Sequence, residues 1–466
     1  MRTSNRLRER CTSALIALAS IAAATAAGAS AASCTNDNDI LPGQETDAST
    51  NEDVTDGSAN EDADAGAPRS PFRDAATSDA APEPVVCESS PCAVSLTTTG
   101  TDTYCVLLED KTVACWGANL VRGNRLSGDL GRGPNMRDDS ADPARVVGLT
   151  DIRYLNRGCA IDGSGATWCW GTGPYLQSTT TAFTTEPVPV KLPIPAATSV
   201  SIGFYRQDTV NYFAVGCATV QAGLICWGTN GMGHLGPMEL GGSSTAPHEA
   251  RTIALPPGAP IESIVVGQAA FAVRSDGTVL SWGRNPPLAR ISSLFPDPYP
   301  RPAMLNGISR LEAFRENACA VAQGIAYCWG GNPHGSAIYG MEEPMKFAIP
   351  KAIATREPVV DIATHSCLDY GGSMQHGCAV GVSGALYCWG EILYGQVGDG
   401  TREYALSPVK VTGLPGRVSR VKTTRLSTCA LLTTGKVHCW GDNRYGQLGN
   451  GDIRAASTVP QEVLLP

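Results

Sequence analysis

From Ala93 onward, short apolar runs alternate with polar connections containing Gly and Pro, and the runs form a recurring set. The last copy is the clearest. Val418 to Val421 is followed by Cys429-Ala430-Leu431-Leu432, a turn at Thr433 to Lys436, and Val437-His438-Cys439-Trp440-Gly441. Runs this short, rich in β-branched residues and bounded by turn residues, predict strands. The closing Trp-Gly occurs at Trp116, Trp170, Trp227, Trp282, Trp329, Trp389 and Trp440, with spacings of 54, 57, 55, 47, 60 and 51 residues. All but one read Cys-Trp-Gly, and the exception is Ser281-Trp282-Gly283. A period of this size built from short strands marks a circular array of small sheets.

A second element follows Trp-Gly. It reads Gly446-Gln447-Leu448-Gly449 in the last copy and returns as Gly395-Gln396-Val397-Gly398, Gly233-His234-Leu235-Gly236 and Gly128-Asp129-Leu130-Gly131. A Pro-Val-x-Val strand comes next, as at Pro408-Val409-Lys410-Val411. In this order the residues resemble the repeats of the regulator of chromosome condensation family across residues 87–466. The loop element is degenerate after Trp170, Trp282 and Trp329. The resemblance implies an all-β fold, a seven-bladed β-propeller. The run from Thr458 to Val463 matches the strand that elsewhere begins a new repeat, and the copy from Ala93 to Thr98 lacks it. The C-terminal strand is therefore expected to complete the first blade and leave no open edge.

The cysteines argue independently. In six repeats a Cys lies nine or ten residues before the Cys of Cys-Trp-Gly. The pairs are Cys105 with Cys115, Cys159 with Cys169, Cys217 with Cys226, Cys319 with Cys328, Cys378 with Cys388, and Cys429 with Cys439. With a turn between them, such pairs stand opposite on a hairpin, within reach of a disulfide. Where Ser281 replaces one partner, Phe271 replaces the other. Cys87 and Cys92 are expected to bridge at the entry to the propeller. Cys367 is left over beside His365, near His376 and Cys378. That grouping could read as a zinc site, but the expected bond of Cys378 to Cys388 removes a ligand, so a loop insertion with a free or mispaired thiol is expected. No metal or cofactor is expected.

Residues 1–33 have the layout of an export signal: Arg2, Arg6, Arg8 and Arg10, then an Ala-rich apolar stretch with small residues at its end. Ala31-Ala32-Ser33-Cys34 resembles a bacterial lipobox, which would make Cys34 the lipid attachment site, and Ala29-Ser30-Ala31 offers ordinary cleavage and secretion instead. The expected location is the outer membrane or cell surface, reached by membrane contact through the lipid alone. Residues 34–86 read as a disordered tether, with thirteen Asp or Glu from position 35 onward against Arg69 and Arg73. The signal carries +3 and the tether −11, so the total of −9 leaves −1 for residues 87–466. A nearly neutral folded part offers no basic footprint for nucleic acid.

Catalytic signals are sparse. The six His are scattered, and no nucleophile elbow, phosphate loop or metalloprotease motif occurs. Asp162-Gly163-Ser164-Gly165 looks like the box of glycan-cleaving propellers, but it falls where every repeat has its hairpin turn. The eukaryotic namesake of the family is an exchange factor for a small GTPase. The export signal and disulfides argue against carrying that activity over. Secreted bacterial propellers of this class include β-lactamase inhibitors that bind through one face.

The expected role is recognition of a protein or surface polymer by a monomer, through one loop face. With every Trp committed to the repeats, candidate contacts are Tyr175, Phe204, Tyr205, Arg206, Tyr212, Tyr299, Tyr339, Tyr370 and Tyr394, with Phe183, Phe213 and Phe295 nearby. The rival is an extracellular glycan hydrolase or lyase, marked by carboxylates and Arg converging at the channel mouth.

Overall fold

The structure, a computed structural model, describes residues 81–99, 102–121, 125–136, 138–206, 212–237, 245–332, 345–367, 374–390 and 393–466. The expected signal, the lipid-attachment Cys34 and nearly all of the expected tether lie outside them. The propeller has seven four-stranded antiparallel sheets. Blade 7 shows the plan: Val418–Thr423, Ser427–Leu432, Val437–Gly441 and Ser457–Glu462, each paired with the next. The first strands of neighbouring blades touch all around the ring, so the first strand lies innermost and the fourth outermost.

One expectation is overturned. The C-terminal strand Ser457–Glu462 pairs with the Trp440 strand of its own blade, Gly441 opposite Ser457 and Cys439 opposite Gln461. The first blade is complete without it, from Ala93–Thr98, Thr103–Leu108, Val113–Gly117 and Ser140–Arg145. The Pro-Val-x-Val run thus ends a repeat instead of beginning one. A periodic sequence carries no mark of where its unit starts, and pairing with the strand just before it closes a far shorter loop than crossing to the first blade.

Ring closure rests on packing and on the chain leading into the first blade. Val86 N donates to Thr433 O at 2.8 Å, Ala93 N to Gly435 O at 3.0 Å, and Arg417 pairs with Glu83 at 2.6 Å. Leu96, Tyr104, Val106 and Trp116 of the first blade then share one apolar core with Cys429, Leu431, Val437 and Leu448 of the last.

All seven repeat Trp are buried to 2% exposure or less. In five of them the indole N–H holds the loop of the preceding blade: Trp170 donates to Asp129 O, Trp227 to Pro174 O, Trp282 to His234 O, Trp329 to Pro287 O and Trp440 to Gln396 O. Trp116 completes the circle on Gln447 O. The Gly after Trp is required by close approach: Gly441 has φ +100°, and a Cβ there would collide with the carbonyl of Leu426.

The seven expected disulfides are present. Cys87 bonds Cys92 where the chain enters the propeller. The other six join directly opposed residues of a hairpin, with Cα atoms 4.1 Å apart in each. Cys105 bonds Cys115 in blade 1, Cys159 bonds Cys169 in blade 2, and Cys217 bonds Cys226 in blade 3. Cys319 bonds Cys328 in blade 5, Cys378 bonds Cys388 in blade 6, and Cys429 bonds Cys439 in blade 7. In blade 4, which has none, Phe271 sits opposite Ser281 and meets the next blade's Trp329 edge-on, centroids 5.8 Å apart.

Candidate functional site

The strand order divides the connections between two faces. First-to-second and third-to-fourth connections emerge at one mouth of the ring, and second-to-third and fourth-to-first connections at the other. The third-to-fourth connections are long, such as residues 118–139 and 442–456, whereas second-to-third turns are as short as 221–222 and 323–324. Every expected contact residue among the described residues falls in or beside a connection at the first mouth. Asp162 belongs to a second-to-third turn on the other face. It accepts from Ser164 N at 2.9 Å and from Trp168 Nε1 at 2.9 Å, as a hairpin-turn residue does.

The structure sorts those contact residues. Tyr175 is not available to a partner: it is 2% exposed, and its hydroxyl donates to Trp170 O at 2.5 Å. Phe213 is also buried. Phe204 is half-buried against Phe183, ring centroids 5.1 Å apart. The backbones of Tyr205, Arg206 and Tyr212 extend the hairpin Ala197–Arg206 and Tyr212–Val220 beyond the ring, with Arg206 opposite Tyr212. Tyr299 is exposed with Arg301 over its ring at 5.9 Å, and Tyr394 carries the Arg444 guanidinium at 4.8 Å. Tyr339 and Tyr370 lie outside the described residues. Cys367 ends its strand opposite Met374, while Cys378 is bonded to Cys388, so the four-ligand zinc grouping is broken. Among the described residues one grouping has metal-ligand spacing, Cys87, Cys92 and Glu109, and its two thiols are spent on a disulfide.

Beneath the rim, charged side chains span the ring axis. Arg157 of blade 2 donates to Val266 O of blade 4 at 3.0 Å and to Ala313 O of blade 5. Glu312 of blade 5 takes Lys422 of blade 7 and stands 4.0 Å from Arg157. Arg310 pairs with Asp361 at 3.7 Å, and Asp361 accepts from Val421 N at 2.9 Å. Nearer the mouth, Arg425 pairs with Asp102 at 3.0 Å, Arg444 with Asp442 at 2.9 Å and Arg284 with Glu316 at 3.4 Å. Burial pushes the Asp102 carboxyl up despite Arg425 beside it, and the Asp361 carboxyl likewise.

The residue types expected of a glycan-cleaving enzyme therefore do converge. Their access is uneven. The side chains of Asp102, Asp361 and Asp442 are 8%, 6% and 1% exposed and those of Glu312 and Glu316 are 25% and 11% exposed, and an acid or base must reach its substrate.

Sequence reading missed this charged layer. Arg315 and Arg425 both stand four residues before the Cys of their repeat, so aligning the repeats on that Cys would have placed them in one ring. Nothing in the sequence links Glu312 to Lys422.

The regulator of chromosome condensation (RCC1) repeat profile matches residues 383–431, and a second profile of the same description matches residues 421–447. Residues 383–447 of the chain carry repeats of that family. Members with similar sequence include the human E3 ubiquitin-protein ligase HERC2, 28% identical over 243 residues, covering 41% of this chain and 5% of HERC2. The ultraviolet-B receptor UVR8 of Arabidopsis thaliana is 28% identical over 294 residues, covering 61% of this chain and 62% of UVR8. The chain thus spans less than two thirds of either relative. Yeast RCC1 (Prp20), crystallised bound to Kap60, shares the family fold at TM-score 0.57 and 18% identity, covering 85% of this chain and 91% of that one.

Proposed function

We propose that this protein is a non-catalytic recognition module of the cell envelope, exported and lipid-anchored at Cys34, which binds a protein or surface polymer through the mouth formed by the first-to-second and third-to-fourth connections. The observation that carries this reading is the asymmetry of the two faces. The long loops, exposed aromatics and Arg-over-ring pairs gather at one mouth, while short turns close the other. Rigid blades presenting variable loops make a recognition surface without any catalytic group.

Two features support the envelope setting. Seven disulfides suit an oxidising compartment. The chain also enters beside Arg417, Thr433 and Gly435, in connections of the short-turn face. Entry on that face keeps the chain leading into the propeller clear of the loop-bearing mouth. Yeast RCC1 (Prp20), which has a similar fold, was crystallised bound to another protein, Kap60.

The test is crosslinking and pull-down from intact cells with the full chain as bait, read by mass spectrometry. A dominant protein partner, lost when Tyr205 and Arg206 become Ala, is the expected result. Retention on cell-wall or polysaccharide material instead would identify a polymer ligand. Neither outcome, or cleavage of an added glycan, would overturn the reading. Membrane fractionation of Cys34→Ser, expected to release the protein, tests the anchor.

A further inference from the structure

Blade 2 departs from the other repeats where its long loop should close. Two positions after the carbonyl that the next blade's Trp holds, the loop turns through a residue of positive φ. That residue is Gly131, Gly236, Gly398 and Gly449 in blades 1, 3, 6 and 7, at φ between +61° and +95°. It is Ala289 in blade 4, and in blade 2 it is Leu176, at φ +59°. A large side chain is disfavoured in this region, so the surroundings of Leu176 must hold it there. In blades 1, 4, 6 and 7 one backbone bond then ties the loop to the end of the outermost strand. Val147 N donates to Gly131 O, Met304 N to Ala289 O, Thr412 N to Gly398 O and Leu464 N to Gly449 O. In blade 2 the corresponding residue is Pro193, which follows Leu192 as Val147 follows Val146 and has no N–H to give.

The loop is therefore not tied down at this point. A cavity of about 460 Å³ lies between it and the outermost strand of blade 3, His248–Thr252, with Leu176 and Pro193 both in its lining. That volume is in the range of small-molecule sites. The loop is ordered by bonds of its own: Gln177 Nε2 donates to Tyr175 O at 3.1 Å, Thr181 N donates to Ser178 Oγ at 3.0 Å, and Phe183 packs on Phe204. A preformed pocket asks little reorganisation of a ligand.

The lining can be reached from solvent. Leu176, Phe183 and Thr184 are half-buried, and Thr179, Thr181 and Glu249 are exposed. Thr184 Oγ1 is buried with no hydrogen-bond partner among the described residues, and Glu249 has no ion pair among them. His248 also lines the cavity, and its Nδ1 is engaged by Arg251 at 2.8 Å. The described lining contains no Lys or Arg, which disfavours an anion. Glu249 is its one acid, which disfavours a divalent cation and lacks the carboxylate pair of a glycosidase. Hydroxyls that both give and accept, one carboxylate acceptor, and an aromatic ring beside aliphatic faces match the hydroxyl groups and C–H faces of a sugar.

We propose that this cavity binds a neutral saccharide unit without cleaving it, with Glu249 and the threonine hydroxyls holding its hydroxyl groups and Phe183 and Leu176 covering its C–H face. The site lies between the outermost strands of two blades, so it does not depend on the loop-bearing mouth being the recognition face.

The experiment is calorimetric titration of the full chain with cellohexaose, maltohexaose and N-acetylated chitohexaose, with hexaglutamate and hexalysine as charged controls. Expected is binding of at least one of the saccharides and of neither peptide. Ala250→Trp, at an exposed lining position, should fill the cavity and weaken that binding by about tenfold or more. Ser407→Trp, at the matching exposed position of blade 6, should leave it unchanged, which separates a blocked cavity from a damaged strand. Thr181→Ala, on the exposed loop, should weaken it several-fold through a lost hydroxyl. No binding of any of the three saccharides, binding that survives Ala250→Trp, or preference for a peptide would each overturn the proposal. Capture of a cellular partner that is lost with Tyr205 and Arg206 but kept by Ala250→Trp would leave the reading of the mouth standing if the saccharide site fails.

Discussion

The indole N–H of Trp116 donates to the carbonyl oxygen of Gln447 at 2.9 Å, joining residues 331 positions apart. It is the same bond that Trp170 makes to Asp129 and Trp440 makes to Gln396. Those bonds link consecutive blades, whereas this one joins the first blade to the last. Because no strand crosses between those two blades, the ring is closed by this contact, the core around it and the chain that leads into the first blade.

Gly449 sits beside that bond with φ +61°, where an added Cβ would lie 2.8 Å from Trp116 Nε1 and 2.9 Å from Val463 Cγ1. Gly449→Ala is predicted to destabilise the protein by about 2–3 kcal/mol, from backbone strain plus the clash. Gly133, at φ +102° with nothing within 4 Å of its Cβ position, isolates the strain, and Gly133→Ala should cost about 1 kcal/mol. Denaturant midpoints measure both. Equal losses would mean that the Trp116 contact contributes nothing special.

The hairpin disulfides close loops of nine or ten residues. Replacing Cys105 and Cys115 together by Ala should lower stability by about 2–3 kcal/mol, mostly through a freer unfolded chain. The fold should survive, because blade 4 stands on Phe271 and Ser281 in the same positions. Calorimetric unfolding of the double variant decides this, and an unchanged transition would refute the staple.

Buried histidines set the acid limb of stability. Burial lowers the pKa of His234 to about 4 and that of His376 to about 3, against about 6.5 in the unfolded chain. Above about pH 6.5 neither state holds these protons and they have no effect. As pH falls below that, the unfolded chain takes up protons that the folded one refuses. Each group then removes stability at up to ~1.4 kcal/mol per pH unit until its folded pKa is reached. Asp102 and Asp361, whose pKa values are raised in the fold, act in the opposite sense and offset part of the loss. His234→Gln places there the residue that two other repeats carry at Gln396 and Gln447, and should make the pH 4–6 limb shallower by about one proton. An unaltered slope would show that His234 does not titrate as its burial demands.

Glu312→Gln removes the acceptor that Lys422 and Arg157 share across the axis. The expected loss is about 1–3 kcal/mol, since two partly buried cations would remain without their counter-charge. The double variant Glu312→Gln, Lys422→Met should recover part of it. Thermal unfolding of the single and double variants measures the coupling, and strictly additive losses would contradict a direct pair.

Much of this molecule was legible in the chain. The spacing of Trp116 to Trp440 gave seven blades, and the paired cysteines gave six hairpin registers, because both depend on contacts between strands that are neighbours in sequence. The repeat phase was misread at Thr458 to Val463, since periodicity alone does not say which blade a terminal strand joins. Tyr175 was likewise read as a contact residue, because only the packed loop shows its hydroxyl turned inward on Trp170.

What the sequence determined by itself was therefore local: strands, turns, staples and their repetition. The tertiary structure alone decided which side chains meet across the ring. Glu312 reaches Lys422 across 110 positions, Arg157 reaches Ala313 across 156, and His365 comes to rest on Phe314. These meetings follow from closure of seven blades around one axis, which converts repeat number into spatial proximity that separation along the chain does not encode.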